Sequence, residues 1–173
     1  MIISQLMHAA IKARNNAQAP YSTYHVGSAI RSAQGNIYAG CNVERCSYTQ
    51  TTHAEQNAID SMIAAEGPAC ITHIAIIAAP QRKIITLQNI QDASVINTPP
   101  QSACCGHCLQ IIWENAGDNP DIPMYFFFGD NKLYTTTIGT LLPFPFGPSN
   151  LGITYTHQNS FTSSTVFEHN ERT

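Results

Sequence analysis

Apolar residues recur every three to four positions over residues 2–17, which predicts an amphipathic helix that ends before Pro20. Two short apolar runs follow at 26–31 and 36–41, and a turn that contains Gly35 separates them. Runs of this length on either side of a glycine turn are typical of a β-hairpin. The chain is therefore expected to open with one helix and a pair of antiparallel strands.

Helical and strand patterns alternate after the hairpin. An apolar stripe predicts a helix that starts near His53, and a second helix is predicted over residues 106–115. Apolar runs at 71–79 and 124–128 predict buried strands, and 132–136 predicts a shorter outer strand. This alternation favours an α/β layered domain with a mixed sheet of five strands.

Two stretches carry weaker patterns. Residues 80–101 contain the run Lys83-Ile84-Ile85, which predicts a small strand or a flap rather than a structureless loop. Residues 153–173 are polar and rich in serine and threonine, which is typical of a partly mobile tail. We therefore expect one domain over residues 1–152, followed by this polar C-terminal tail.

The composition restricts the class of protein. The chain has 173 residues, a net charge of −3 and no basic run, which argues against a nucleic-acid polymer as partner. It has six cysteines but no basic leader in residues 1–10, which favours a reducing compartment over a secreted disulfide framework. No apolar run reaches membrane-spanning length. We expect a cytoplasmic protein with a small-molecule substrate and no membrane partner.

Two short motifs, His-Ala-Glu and Cys-Gly-His-Cys, each open a predicted helix. They supply His53, Cys105 and Cys108 as three candidate zinc ligands. Three protein ligands leave the fourth position of a tetrahedral zinc ion to water, which is the arrangement of catalytic sites. Glu55 lies two residues after His53, close to the metal and free to transfer protons. Cys105 and Cys108 are three residues apart, which puts both thiolates on one side of a helical turn.

Other interpretations of these motifs remain open. A closed, structural zinc site would take its fourth ligand from Cys104, His107 or His73. The Cys-x-x-Cys spacing alone also fits a redox pair. A closed site has no use for Glu55, however, and one His or Cys with two Cys ligands and a nearby Glu is the pattern of zinc base deaminases. The open zinc site is therefore the leading hypothesis.

Five motifs in chain order resemble free-nucleoside cytidine deaminases over about residues 5–151. They are PYSTYHVG at 20–27, GCNVE at 40–44, HAEQNAI at 53–59, CGHCLQ at 105–110 and LLPFPFGP at 141–148. The resemblance implies a three-layer α/β/α domain and a Zn²⁺ cofactor. It also implies that Glu55 is the catalytic residue of the site.

The resemblance also implies the substrate contacts. Asn42 and Glu44 match residues that bind the ribose 3′-hydroxyl, although the same pair could form an ordinary polar turn on the surface. Tyr24 matches an aromatic residue beside the pyrimidine, or else closes the edge of the core. The other matches are Tyr48 near the sugar 5′ end, the Ala54 N–H at the 2-carbonyl, the Ala103 carbonyl at the exocyclic amine, and Phe146 in a neighbouring subunit's active site.

The chain departs from the family pattern at several positions. Cys104 stands where proline often precedes the first cysteine of the second motif, and Leu109 replaces an arginine. Residues 80–101 form a longer connection between the strand at 71–79 and the second motif than is usual in the family. Many single-domain members have three Cys ligands and an arginine where this chain has Gln56. Because His53 is neutral, zinc with two thiolates sums to zero charge, and we hypothesise that no compensating cation is needed.

The implied reaction is hydrolysis of cytidine and deoxycytidine to uridine and deoxyuridine with release of ammonia. A zinc-bound hydroxide would attack C4 while Glu55 shuttles protons, in the service of pyrimidine salvage. One alternative is another deaminase substrate, such as a nucleoside antibiotic or a modified base. A second alternative is a catalytically silent zinc-binding subunit, against which the intact Glu55 argues. The length and motif spacing resemble those of the single-domain tetrameric members of the family, which implies a homotetramer, with a dimer as the second choice.

Overall fold

The computed structural model describes residues 2–156 and 160–163, with side chains through residue 153. Within these residues, helices cover both faces of a mixed sheet. The strands of this sheet are β1 (Tyr24–Ser32), β2 (Ile37–Cys41), β3 (Ile71–Pro80), β4 (Ser94–Ile96), β5 (Pro123–Phe127) and β6 (Lys132–Thr137). The helices are α1 (Ile2–Asn15), α2 (Ala54–Glu66), α3 (Leu87–Gln91), α4 (Gly106–Glu114) and α5 (Ile138–Leu141).

The strands lie in the order β2-β1-β3-β5-β6-β4. The first three form an antiparallel unit, in which the hairpin predicted from the sequence pairs through β1 with β3. Strands β3 and β5 are parallel, with Ile76 opposite Phe126, and β5 turns back antiparallel to β6. β3 is almost fully buried, as expected for a strand with helices on both sides.

Two apolar clusters, one on each face of the sheet, make up the core. On one face, α1 and α3 pack on β1, β3 and β5, and Leu6 and Met7 of α1 are completely buried. On the other face, α2, α4 and α5 pack on the sheet around Ile59, Ile112 and Phe126. The predicted three-layer α/β/α architecture with a mixed sheet is therefore confirmed.

The prediction of five strands was wrong by one, because β4 adds a sixth strand to the sheet within the described residues. This strand comes from the long segment 80–101 and pairs in parallel with β6, with Ser94 opposite Lys132. Residues 83–85, the expected strand or flap, have no regular secondary structure. A three-residue strand is too short to produce a readable alternation of apolar and polar positions, which explains why the sequence pattern missed β4.

The predicted C-terminal tail is described only in part. Residues Ile153–Thr156 (β7) and Ser160–Ser163 (β8) form a separate antiparallel pair. The remaining residues of the expected tail, 157–159 and 164–173, lie outside the described residues, and the domain boundary at residue 152 stays a prediction. Among the helices that the structure describes, none combines the length and apolar character needed to cross a membrane.

Close packing of α2 on the hairpin fixes the position of the first motif. A Cβ atom on Gly40 of β2 would lie 2.5 Å from the backbone nitrogen of Ala58, so only glycine allows this approach. The Asn57 side chain of α2 also donates a hydrogen bond to the Cys41 carbonyl, at 3.1 Å. The N-terminus of α2 is therefore held at the end of β2.

Candidate active site

The two motifs meet at the N-termini of α2 and α4. His53 is the N-cap of α2 and Cys105 is the N-cap of α4, each with extended backbone angles that turn the chain into its helix. His53 Nδ1 lies 3.2 Å from Cys108 Sγ and 3.4 Å from Cys105 Sγ. All three ligand atoms lie within 4.8 Å of one another. The structure thus brings together the three residues predicted to bind zinc.

These distances fit a tetrahedral zinc ion. Zinc bonds of about 2.0 Å to nitrogen and 2.3 Å to sulfur require N···S separations of roughly 3.5 Å. Within the described chain, the cluster contains no fourth His, Cys, Asp or Glu ligand, so Cys104, His107 and His73 do not close it. The open-site hypothesis is therefore favoured over a structural zinc site, and zinc is the cofactor that this cluster holds.

The surroundings of the cysteines explain why a cation belongs there. Cys108 is completely buried, and burial together with the nearby Glu55 carboxylate raises the pKa of its thiol far above the ordinary value. Burial also raises the pKa of the Cys104 thiol, and the charge of Glu55 and a hydrogen bond with it raise this pKa further. Without a positive ion, thiolates beside this carboxylate would be strongly unfavourable.

Glu55 lies in the first turn of α2 and is 6% exposed. It contributes no atom to the metal cluster, yet it lines the same cleft as His53 and Cys105. A buried carboxylate that faces a cleft and binds no metal is placed to exchange protons with a reacting molecule. The Cys104 thiol lies within hydrogen-bonding reach of Glu55 and lines the same cleft, which makes Cys104 part of the site.

A cleft of about 490 Å³ opens above the cluster. The cleft is lined by five of the residues that the resemblance predicts as substrate contacts, namely Tyr24, Asn42, Glu44, Ala54 and Ala103. The cleft runs across the ends of β2, β1, β3 and β5. Its volume is within the range of about 300–1,000 Å³ typical of small-molecule sites. The cleft therefore has the size and the polar groups for a small ligand.

Asn42 and Glu44 are held in place by backbone contacts. Asn42 Oδ1 accepts from the Val26 N–H at 2.9 Å, and its Nδ2 donates to the Tyr24 carbonyl at 2.9 Å. Glu44 Oε2 accepts from the N–H groups of Tyr21 and Ser22, at 2.9 and 3.2 Å. Each side chain keeps further hydrogen-bonding capacity that these contacts do not use.

Hydrogen bonding keeps Glu44 ionised. The Ser22 hydroxyl, with the N–H groups of Tyr21 and Ser22, holds the pKa of this carboxyl below its ordinary value. A carboxylate that is negatively charged at neutral pH accepts strong hydrogen bonds from hydroxyl groups. Glu44 therefore presents a fixed acceptor at the β2 end of the cleft.

Two predicted contacts lie away from this cleft. Tyr48 is 70% exposed and packs against the Tyr21 ring at a centroid distance of 5.7 Å. Phe146 is 62% exposed, and its carbonyl accepts a hydrogen bond from Gln110 Nε2 at 2.8 Å. Neither residue lines the cleft of the single chain. The contact of Phe146 with the active site of a neighbouring subunit stays a prediction.

The sequence and the fold have recognisable relatives. The family model described as "Cytidine and deoxycytidylate deaminase zinc-binding region" matches residues 2–119, which is more than half of the chain. The chain belongs to the cytidine and deoxycytidylate deaminase family. The expected class, a zinc-dependent hydrolytic deaminase, is thereby confirmed, as is the resemblance found in the sequence.

Individual relatives of this deaminase family agree with the assignment. The cytidine deaminase of Sporosarcina psychrophila is 29% identical over 151 residues, which cover 87% of this chain and 96% of that protein. The cytidine deaminase of Photorhabdus laumondii is 32% identical over 138 residues, covering 78% of this chain and 36% of that protein. The crystal structure of cytidine deaminase from Burkholderia pseudomallei superposes with a TM-score of 0.66 at 31% identity, covering 84% of this chain and 100% of that chain.

The departures from the deaminase pattern have structural explanations. Leu109 is 9% exposed and packs in the core between α4 and the sheet, where an arginine would lose its hydration. Gln56 Oε1 lies 3.3 Å from His107 Nε2, and the His107 ring packs edge-on against His53 at 5.5 Å. Gln56, an uncharged residue, thus contacts His107, which in turn packs against the ligand His53.

Sequence reasoning about this deaminase missed the apolar walls of the cleft. Ile76 and Ala78 of β3 face it, as do Phe126 and Phe128 at the end of β5. The two members of each pair are two positions apart in the sequence, so their side chains lie on the same face of the strand. The period-two pattern of the predicted strands could have identified them, once the cleft was known to lie on the α2 side of the sheet.

Proposed function

We propose that the protein hydrolyses cytidine and deoxycytidine to uridine and deoxyuridine, with release of ammonia. One observation carries this proposal. The buried carboxylate of Glu55 and a three-ligand zinc cluster face the same cleft, which has the polar pair Asn42 and Glu44 at its other end. The names of the relatives, all cytidine deaminases, support the same substrate.

The residues of the cleft divide the chemical work. Zinc held by His53, Cys105 and Cys108 would supply a Lewis acid that lowers the pKa of water toward neutrality. Glu55 takes a proton from the attacking water, delivers it to ring N3, and then protonates the departing amine. Because Glu55 is 6% exposed, few bulk water molecules can compete for these protons.

Backbone and polar groups orient the nucleoside. The Ala54 N–H donates to the 2-carbonyl of the pyrimidine, and the Ala103 carbonyl accepts from the exocyclic amine. Tyr24 packs beside the ring, and Asn42 and Glu44 bind the ribose 3′-hydroxyl. A compound without that hydroxyl would forgo the hydrogen bonds that Asn42 and Glu44 can make beyond their backbone contacts, which provides selectivity for nucleosides. These contacts use no 2′-hydroxyl, which supports action on deoxycytidine as well.

The assembly forms part of the proposal. We expect a homotetramer, or a dimer as the second choice, in which Phe146 of one subunit reaches the active site of its neighbour near the sugar 5′ end and Tyr48. The exposed position of Phe146 beside the still more exposed Phe144 supports this expectation. The expected setting is cytoplasmic pyrimidine salvage, with no nucleic-acid polymer and no membrane as partner.

Two alternatives differ in observable ways. A zinc deaminase of another nucleoside or modified base would bind zinc but leave cytidine unchanged. A catalytically silent subunit would bind zinc and convert no nucleoside at all. The buried, cleft-facing Glu55 favours a functioning enzyme over a silent subunit.

The test uses two matched pairs of variants with zinc analysis and a cytidine absorbance assay. Wild-type protein is expected to hold about one zinc per chain and to form uridine. Glu55→Gln should keep its zinc and lose about 10³-fold in kcat, whereas Glu114→Gln, the same change at an exposed site, should behave as wild type. Cys105→Ala should lose zinc, and Cys46→Ala at an exposed loop cysteine should not. Zinc-loaded wild type that leaves cytidine intact would refute the substrate assignment.

A further inference from the structure

Residues 42–44 and 51–53 form a short antiparallel ribbon at the edge of the cleft. Val43 and Thr52 are its bridge, in which each N–H donates to the carbonyl of the other residue, at 2.9 and 3.0 Å. Opposite residues of an antiparallel pair have their side chains on the same face, and the next residues along each chain point to the other face. The four residues that flank the bridge therefore share one face of the ribbon.

This common face carries Asn42 and Glu44 on one chain, and Thr51 and His53 on the other. All four residues line the cleft, whereas the two bridge residues do not. Antiparallel order places Asn42 opposite His53 and places Glu44 opposite Thr51. Directly opposite residues have their Cβ atoms about 4.5–5.5 Å apart, so Glu44 and Thr51 face the same part of the cleft. Of the four residues, Thr51 alone has no part in the proposed reaction.

The hydroxyl of Thr51 can donate a hydrogen bond into the cleft. Its Oγ1 accepts from the Arg45 N–H at 3.3 Å, while the Thr51 N–H donates to the Tyr48 carbonyl at 3.0 Å. These two contacts hold Thr51 at the end of the loop that connects the two chains of the ribbon. A threonine hydroxyl has one donor and two acceptor sites, so the Arg45 contact does not use the donor.

The shape of ribose indicates which group lies beside Thr51. The 2′- and 3′-hydroxyls are attached to adjacent ring carbons on the same face of the sugar, while the 5′ carbon lies on the face that carries the base. With the 3′-hydroxyl bound by Asn42 and Glu44, the next hydroxyl on that face is the 2′-hydroxyl. A carboxylate and a hydroxyl that face each other across the ribbon suit the two neighbouring hydroxyls of ribose.

We propose that Thr51 is a specificity-determining residue whose hydroxyl donates to the substrate 2′-hydroxyl, so that the protein favours cytidine over 2′-deoxycytidine. This inference rests on the proposed function, and it ranks the two substrates that the proposed reaction accepts. The contacts of Asn42 and Glu44 with the 3′-hydroxyl serve both nucleosides equally. The deoxy compound loses the contact with Thr51, because its 2′ carbon offers no acceptor to the threonine hydroxyl.

The experiment measures kcat/KM for cytidine, 2′-deoxycytidine and 5′-deoxycytidine with the zinc-loaded full chain. A hydrogen bond between neutral groups makes a modest net contribution, so wild type should prefer cytidine to 2′-deoxycytidine by about three- to tenfold. Equal values for these two nucleosides, or a preference for the deoxy compound, would overturn the role of Thr51 and leave the proposed function intact. Conversion of none of the three nucleosides would overturn the proposed function itself.

Two variants of Thr51 separate its hydroxyl from its packing. Thr51→Val keeps the shape of the side chain, and it should lower kcat/KM for cytidine about three- to tenfold and leave that for 2′-deoxycytidine within twofold. Thr51→Ser keeps the hydroxyl and should retain the wild-type preference. An equal loss with both nucleosides in Thr51→Val would mean that the residue acts through the shape of the loop, and would overturn the proposal.

The matched control is Thr52→Val, the same change on the opposite face of the ribbon. Since Thr52 does not line the cleft, the preference for cytidine should stay within twofold of the wild-type value. An equal fall of this preference in Thr52→Val and Thr51→Val would overturn the assignment.

The third nucleoside separates the two ends of the sugar. Because 5′-deoxycytidine keeps its 2′-hydroxyl, Thr51→Val should lower kcat/KM for this compound by the same factor as for cytidine. If Thr51→Val instead lowers kcat/KM for 2′-deoxycytidine as much as for cytidine and leaves that for 5′-deoxycytidine unchanged, Thr51 contacts the 5′ end and the proposal is wrong.

Discussion

At the scale of single residues, the site combines chemistry with structural support in the same side chains. Asn42 joins Val26 to Tyr24 through both ends of its amide, so the residue expected to bind ribose also fixes the start of β1. The surface-turn interpretation and the substrate-binding interpretation are therefore compatible at this position. A truncation of Asn42 would disturb both roles, which makes Glu44 the better residue for a test.

Glu44→Gln should weaken substrate binding without unfolding the loop. Glutamine keeps one oxygen that can accept from the N–H groups of Tyr21 and Ser22, but it lacks the charge that strengthens a bond from a ribose hydroxyl. We expect KM for cytidine to rise about tenfold, with kcat changed less than threefold, in steady-state assays near pH 7. This corresponds to roughly 1.4 kcal/mol of binding energy.

The comparison substrate for this prediction is 3′-deoxycytidine. If Glu44 binds the 3′-hydroxyl, the variant and wild type should differ by less than twofold with that compound. An equal rise in KM for cytidine and 3′-deoxycytidine would assign Glu44 to the shape of the loop alone.

At the scale of elements, the two ligand-bearing helices are positioned by close backbone packing. Gly40→Ala should push α2 away from β2, because the new Cβ would lie 2.5 Å from the Ala58 nitrogen and 2.7 Å from the Asn57 carbonyl carbon. Backbone atoms cannot rotate aside, so we expect a loss of about 1–3 kcal/mol in the free energy of unfolding. Zinc affinity should also fall, because His53 moves with α2. Urea unfolding and chelator competition measure the two effects.

Gly106→Ala is the matched control on the other ligand-bearing helix. A Cβ on Gly106 meets no atom within 4 Å, and the residue is the first of α4. The substitution should leave zinc affinity unchanged and keep or raise stability, by up to about 1 kcal/mol. Equal zinc loss in both variants would contradict positioning of His53 by the α2–β2 contact.

A second contact joins the far end of α2 to the hairpin and makes stability depend on pH. Burial disfavours the Glu66 carboxylate, but hydrogen bonds from Asn36, Ser32 and Tyr38 outweigh it and lower the pKa below the ordinary 4.5. A depressed pKa means that the carboxylate stabilises the fold above its unfolded-state pKa, and that this contribution disappears as the pH falls through the folded-state pKa.

Glu66→Gln should therefore cost about 1 kcal/mol at neutral pH, a value reduced by the partial solvent exposure of the group. The difference in urea midpoint between wild type and the variant should stay constant from pH 7 to about 5 and shrink below 4.5. A difference that persists unchanged at acidic pH would mean that packing, rather than the charged hydrogen bonds, connects Glu66 to the hairpin.

The elements also define what the sequence could and could not predict. Periodicity located α1, α2, α4 and five strands, and motif spacing identified His53, Glu55, Cys105 and Cys108, because local residue order determines all of these. β4 escaped prediction, since three residues give no period. The shape of the cleft also escaped it, since a cavity depends on which strands become neighbours. The contact of Cys104 with Glu55 is of the same kind, because it joins two helices that are about fifty residues apart.

At the scale of the whole molecule, two exposed phenylalanines of the described chain lie outside its cleft. Phe144 and Phe146 are 94% and 62% exposed, and large apolar side chains in such positions are typical of interfaces. If Phe146 completes a neighbour's active site, an isolated chain is an incomplete enzyme. Light scattering should then give four times the chain mass of 18.9 kDa, about 76 kDa, with activity that falls on dilution.

Mixing of two inactive variants tests this idea directly. Glu55→Gln lacks the proton shuttle, and Phe146→Ala lacks the residue expected to reach across the interface, so each alone should have little activity. In a mixed assembly, a Phe146→Ala subunit keeps Glu55 in its own cleft and receives Phe146 from its Glu55→Gln neighbour. After the subunits are exchanged by mild denaturation and refolding, activity should exceed the mean of the two parents several-fold. If the mixture equals that mean while light scattering confirms mixed oligomers, Phe146 acts only within its own chain.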